Sequence, residues 1–151
     1  MRTLGIPVFV VLGLSACGGG PEFGISIMGL DNGTKAIAVR FHEPGARCDL
    51  VLQQGNAAAV RAEARKFAKV AGKGGCLKTS GGEAIFVDNI KSDDYVVSAT
   101  TFGPPTDNIP DTCDDYVNNG VPLDFGCAPV TITQGERADI PITVQSLPQQ
   151  K

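Results

Sequence analysis

The sequence predicts an all-β fold: an antiparallel β-sandwich of about seven to eight strands, with one long disulfide-stapled loop and room for one short helix. Short runs of β-type residues recur between turn signals from residue 24 to residue 145. About eight such runs in about 120 residues suit two packed antiparallel sheets. The length fits a single domain able to bury a core.

Residues 24–30 form the first run. Asp31-Asn32-Gly33 follows as a turn, and Asn-Gly is a strong hairpin signal. Residues 35–41 alternate, with Ile37, Val39 and Phe41 on one face. Pro44-Gly45 breaks the chain before a third run over residues 47–53. The segment 57–71 is ambiguous. Its Ala, Arg, Glu and Lys favour helix, and Val60, Ala64, Phe67 and Ala71 form one helical stripe. Val60, Ala62 and Ala64 also alternate against Arg61, Glu63 and Arg65. In an otherwise all-β chain we read a strand, with a short helix linking the sheets as the alternative. Residues 84–90 and 95–102 are further strands, and 130–133 and 138–144 close the domain around Gln134-Gly135. A polar tail, expected to fray, starts at Ser146. Residues 103–126 read as a long irregular loop with four prolines. Loops of that length inside a domain are usually functional or disordered, and flanking cysteines favour order.

Two stretches carry a family resemblance. Gly82-Glu83-Ala84-Ile85-Phe86-Val87-Asp88-Asn89-Ile90, followed by Asp94-Tyr95-Val96-Val97-Ser98-Ala99 and Gly103, resembles carboxypeptidase-regulatory-like or prealbumin-like modules. The closing 130–144 pair fits the same pattern, with 103–127 as an insertion. The usual Pro-Gly before the Tyr is replaced by Ser92-Asp93-Asp94. Asp94-Tyr95 is similar too to the tyrosine corner of immunoglobulin-like folds, although Val97 stands where those have a cysteine. Both resemblances imply a sandwich, and such modules mostly mediate contact or stiffness rather than catalysis.

The amino terminus indicates where the protein works. Met1-Arg2 gives a small positive start, and residues 4–16 form an apolar run too short to span a bilayer. Leu14-Ser15-Ala16-Cys17 resembles the bacterial lipobox, which implies that residues 1–16 are a cleaved signal and that Cys17 is acylated. The mature chain would then have 135 residues, beginning with a short tether over 17–23 ahead of a domain at 24–145 and a tail at 146–151. Gly18, not Asp, follows Cys17, so sorting to an outer membrane is expected if the host has two membranes.

With Cys17 assigned to lipid, Cys48, Cys76, Cys113 and Cys127 remain, an even number that reads as two disulfides. Three connectivities are possible. Nearness in sequence favours Cys48–Cys76 with Cys113–Cys127, the latter closing a loop that contributes about 3 kcal/mol by chain entropy. A four-cysteine zinc site would lack any C-x2-C pair.

No catalytic constellation emerges. His42 is the only histidine, set beside Glu43-Pro44-Gly45, and reads as an exposed turn residue. No serine has the G-x-S-x-G frame. Paired-carboxylate chemistry, as in glycosidases, has little specific support in an acidic chain. Asp107, Asp111, Asp114, Asp115 and Asp124 make the 103–127 loop acidic, without a base, and mark it as a contact loop for a protein or glycan or, as a lesser reading, a calcium site. Arg61, Arg65, Lys66, Lys69, Lys73 and Lys78 form a basic stretch that reads as a solvated face. The mature net charge of about −4 argues against nucleic acid as a partner. The expected protein is thus a lipid-anchored envelope module that binds a protein or surface polymer. It is expected to have no catalytic activity and no cofactor beyond the covalent lipid. The alternative is a ligand-binding or enzyme-inhibitor lipoprotein acting through the acidic loop.

Overall fold

Alternating apolar residues along two sets of strands build a sandwich. The computed structural model of the chain describes residues 8–10, 22–43, 45–48, 56–70, 73–79, 90–104 and 112–148. Three strands form the smaller sheet: β1 (Val8–Val10), β2 (Glu22–Met28) and β7 (Arg137–Thr143), in the order β1-β2-β7. Five form the larger one: β3 (Ala36–His42), β4 (Gly74–Lys78), β5 (Asp93–Gly103), β6 (Val121–Ile132) and β8 (Gln145–Ser146), in the order β4-β3-β5-β6-β8. The larger sheet is antiparallel throughout, whereas β2 and β7 run parallel over seven paired positions. Two helices, α1 (Ala57–Ala68) and α2 (Cys113–Asn119), complete the described elements.

The core lies between the sheets. Ile25, Ile27, Ile140 and Ile142 of the small sheet meet Ile37, Val39, Phe41, Tyr95, Val97, Ala99 and Ile132 of the large one. The period-2 reading of Ile37, Val39 and Phe41 holds, because strand side chains alternate between faces. Tyr95 packs edge-on against Phe41, and its hydroxyl donates to the Lys91 carbonyl four residues upstream at 3.1 Å. Gly126 is required where β6 passes under β7, since a Cβ there would stand 2.5 Å from the Thr143 carbonyl oxygen.

The opposite face of the large sheet is also apolar, which calls for a third layer. Ala36, Ala38 and Phe102 are covered by Ala68, Tyr116 and Val117, while Phe125 and Leu147 are covered by Val60 and Ala64. The segment 57–71 is therefore helical over Ala57–Ala68, not the strand favoured from its pattern. Asn56 caps it by accepting from Ala58 N at 2.9 Å and Ala59 N at 3.4 Å, and Val60, Ala64 and Ala68 form the buried stripe. The small side chains let the helix lie close to the sheet, where Thr100 Oγ1 donates to the Ala64 carbonyl at 3.2 Å.

Other expectations change as well. The described part of the 103–126 stretch is regular structure and not irregular loop: β5 runs to Gly103, α2 occupies Cys113–Asn119, and β6 begins at Val121. Asn32-Gly33 does turn the chain, with Thr34 N donating to the Asp31 carbonyl at 3.0 Å, but it joins two different sheets and makes no hairpin. The strand β2 starts at Glu22, inside the presumed tether. The tail from Ser146 does not fray at once, because Leu147 is buried and its N–H donates to the Leu123 carbonyl at 2.8 Å. The runs expected at 84–90 and 47–53 fall outside the described residues, apart from Ile90, Arg47 and Cys48.

The disulfides are Cys48–Cys127 and Cys76–Cys113, not the pairs nearest in sequence. The sheet order explains the difference. Cys76 on β4 and Cys127 on β6 are separated by β3 and β5, at about 4.8 Å per strand, so Cys48 beside β6 cannot reach Cys76 and Cys113 over β4 cannot reach Cys127. Each instead takes a partner from the helical side. Cys113 opens α2 over β4, and Cys48 precedes α1 beside β6. The two bridges are nested, with sequence separations of 37 and 79, and each pins a segment of the helical layer to the sheet.

Candidate functional site

The helix-covered face of the large sheet collects most of the polar side chains singled out in the sequence. Along β3 the positions on this face are Ala36, Ala38, Arg40 and His42, since Ile37, Val39 and Phe41 fill the other. His42 is 7 % exposed, which corrects its reading as a surface turn residue. Its Nε2 shares a 2.7 Å hydrogen bond with Ser98 Oγ on the paired strand β5, and its ring meets Phe67 of α1 edge-on. Burial pushes the imidazole pKa below its ordinary value, and the nearby Arg40 charge pushes the same way. A serine and a histidine in hydrogen-bond contact have the first two parts of a nucleophilic pair. Ser98, however, is 1 % exposed and lies under α1, so no substrate carbonyl can approach it. The pair joins β3 to β5 beneath α1, and the His42 ring seats Phe67 of the helix on the sheet.

Arg40 lies half-buried beside it. Its Nη1 donates to the Val39 carbonyl at 3.0 Å and to the Gly75 carbonyl at 2.7 Å. Burial lowers its pKa, and the Asp114 charge opposes that shift.

The five predicted acids do not form one surface. Asp107 and Asp111 lie outside the described residues. Asp115 closes a capping box: Thr112 Oγ1 donates to Asp115 Oδ2 at 2.7 Å, Thr112 N donates to it at 3.2 Å, and Asp115 N donates back to Thr112 Oγ1 at 3.2 Å. Asp124 is 1 % exposed, so it is a structural group and not a loop contact. Its Oδ2 accepts from Thr101 Oγ1 at 2.8 Å and Asp31 N at 3.3 Å, and its Oδ1 accepts from Ser146 Oγ at 3.2 Å. One buried carboxylate thus ties β5, β6, β8 and the first turn together. Asp114 alone of the described three is exposed, and its charge acts on nearby Arg40. Among the described residues no group of three His, Cys, Asp or Glu is placed to hold a metal ion.

In the basic stretch Arg65 is committed to internal contacts, whereas Lys66 and Lys73 make exposed ion pairs. Arg65 reaches from α1 to the carboxyl end of α2, donating to the carbonyls of Val117 at 3.1 Å, Asn118, and Gly120 at 2.6 Å. A guanidinium at this end meets the unpaired carbonyls and negative pole of the helix. Burial lowers the Arg65 pKa, and its guanidinium stands 5.9 Å from the Phe102 ring. Lys66 pairs with Glu63, and Lys73 pairs with Glu43 at 3.0 Å while lying over the Tyr95 ring.

No family model, curated protein or solved structure matches the chain. The structural roles of His42, Arg65 and Asp124 therefore rest on geometry. The neighbouring sequence signals were caps: Asn56 ahead of α1, and Thr112-x-x-Asp115, a capping box that announces α2 inside the supposed loop. Among the described residues no helix is long and apolar enough to cross a membrane.

Proposed function

We propose that the protein is an exported lipoprotein, anchored through lipid on Cys17, whose folded domain is a non-catalytic interaction or structural module of the cell envelope. The observation that carries this reading is the cysteine pairing. Cys48–Cys127 and Cys76–Cys113 use four of the five cysteines, leaving over Cys17, the one that follows Leu14-Ser15-Ala16. Disulfides persist in oxidising compartments, in keeping with export. The lack of catalysis is supported by the closure of His42 and Ser98 under α1 and by the dispersal of the acids into capping and core roles.

The strand β2 begins five residues beyond Cys17, a reach of about 17 Å when extended. The domain would sit against its membrane, the outer one in a host with two. Its partner would be an envelope protein or a surface polymer, and among the described acids exposed Asp114 at the start of α2 is the side chain best placed to meet it.

The test has two arms. The mass of the processed protein should show an amino terminus at Cys17 carrying acyl chains, and Cys17→Ala should leave the membrane fraction. A water-soluble processed chain with a bare Cys17 would sink the anchor. Crosslinking in intact cells should then yield one recurrent envelope protein, or a retained polymer on a glycan array. Turnover of a glycan or peptide would overturn the non-catalytic reading.

A further inference from the structure

The strand β1 occupies a place that the proposed processing would vacate. Val8–Val10 pairs antiparallel with β2, in the register Val8↔Ile27, Phe9↔Ser26 and Val10↔Ile25. The other edge of β2 is taken by β7. Removal of residues 1–16 would leave β2 as a sheet edge with unpaired backbone groups on one side. Such an edge is a template for another strand unless it is short, charged or covered. This one runs seven residues, and its stretch from Gly24 to Met28 carries no charge.

The geometry points to a second copy of this chain as the occupant, through antiparallel pairing of β2 with its own equivalent after processing. The inference rests on the proposed cleavage before Cys17. The chemistry of the present occupant supports it. β1 places β-branched residues at the register positions opposite Ile27 and Ile25, with a different residue opposite Ser26 between them. Two β2 strands related by a twofold axis at Ser26 repeat that arrangement, because Ile25 of one falls opposite Ile27 of the other. Gly24 then falls opposite Met28, so five positions pair where β1 supplies three. Met28, 43 % exposed, gains a neighbour across the axis. The pairing is isologous and closes at two copies, joining the small sheets into one. Anchorage of both copies in one leaflet would raise their effective concentration.

The axis supplies the test. Directly opposed positions in an antiparallel pair lie about 4.5–5.5 Å apart, within disulfide reach. In the processed lipoprotein, Ser26→Cys should give a covalent dimer on mild oxidation. Thr143→Cys, one strand from the axis on β7, should not. In the Cys17→Ala chain, which retains β1, Ser26→Cys should stay monomeric. Adding Phe9→Pro and Val10→Pro to that unprocessed chain removes a ladder donor and disfavours β1 as a strand, and should restore the dimer whether or not cells process the protein. A missing cleavage, read from the amino-terminal mass, would count against the lipoprotein proposal, and the proline chain would still decide this one. Monomers in the proline chain, or a different protein crosslinked at position 26, would overturn it.

Discussion

Arg65 offers the sharpest quantitative test of how the helical layer is held. The perturbation is Arg65→Ala in the otherwise intact, oxidised chain. The helix α2 has seven residues, too few to be stable alone. It is tied at its start by Cys76–Cys113 and at its end by the Arg65 guanidinium, which satisfies three carbonyls. The Asn118 carbonyl is exposed and would rehydrate, so its bond counts for little. The carbonyls of Val117 and Gly120 are part-buried, and a charge-assisted bond to each is worth about 1.5 kcal/mol. Lost packing on Phe102 adds about 0.5 kcal/mol. The expected destabilisation is about 3.5 kcal/mol, an unfolding midpoint lower by about 2 M urea at a slope near 1.7 kcal/mol per M. Arg65→Lys keeps the charge but not the planar fork, and should recover no more than about half of it. Equilibrium urea denaturation followed by far-ultraviolet circular dichroism measures all three chains. An alanine variant within about 0.5 kcal/mol of the parent would refute the idea that this clamp holds α2.

Three further outcomes follow from the bridges, His42 and Asp124. Peptide mapping without reduction should recover 48–127 and 76–113 linked fragments, and a 48–76 fragment would contradict the nested arrangement. By chain entropy the bridges taken singly contribute about 4.5 and about 3.9 kcal/mol, so Cys48→Ala with Cys127→Ala should be the more damaging removal. His42 makes stability depend on acid. Its folded pKa lies below the unfolded value of about 6.5, so the unfolded chain binds more protons in the interval between them. Stability should be full above pH 6.5, fall as pH drops through the folded value, and be less pH-sensitive in His42→Gln when urea midpoints are compared from pH 7.5 to 5. Asp124→Ala should cost about 3 kcal/mol, because Thr101 Oγ1 and Asp31 N lose their buried acceptor. Asp114→Ala should stay within about 0.5 kcal/mol, and thermal melts of the two would invert that order if Asp124 were a surface group.

Strands whose core-facing side chains alternate at period 2 were legible from that period. The alternation of Ile37, Val39 and Phe41, and the strand expected at 138–144, are local signals that packing reinforces, whereas β6 begins at Val121, well before the expected 130. Residues 57–68 were harder because Ala-rich stripes satisfy both a helix and an alternating strand. What decides is the apolar second face of the large sheet, built from Ala36, Ala38, Phe102 and Phe125, which needs a helix to cover it. That demand is non-local. The same is true of the cysteines, whose partners are set by strand order and not by spacing. Asp124 looked like one acid among five because nothing in its neighbours shows that Thr101 waits across the sheet. Asn56 and Thr112, by contrast, were readable caps, and weight given to them would have placed both helices.

The nested bridges also set how the domain would respond to a pull along the chain. Cys48–Cys127 holds its ends 5.8 Å apart at the Cα atoms and removes everything between them from the extensible length. Only residues 22–47 and 128–148 can pay out, about 160 Å against about 430 Å for the same span without the bridge. Both strands of the β2–β7 pair lie in that extensible part, and they run parallel over seven positions. A load drawn along β2 from its amino end would therefore shear all seven pairs together instead of peeling them one by one. The first event under tension would be separation of the small sheet from the large one, with the segment between Cys48 and Cys127 and both of its helices still closed by the bridges.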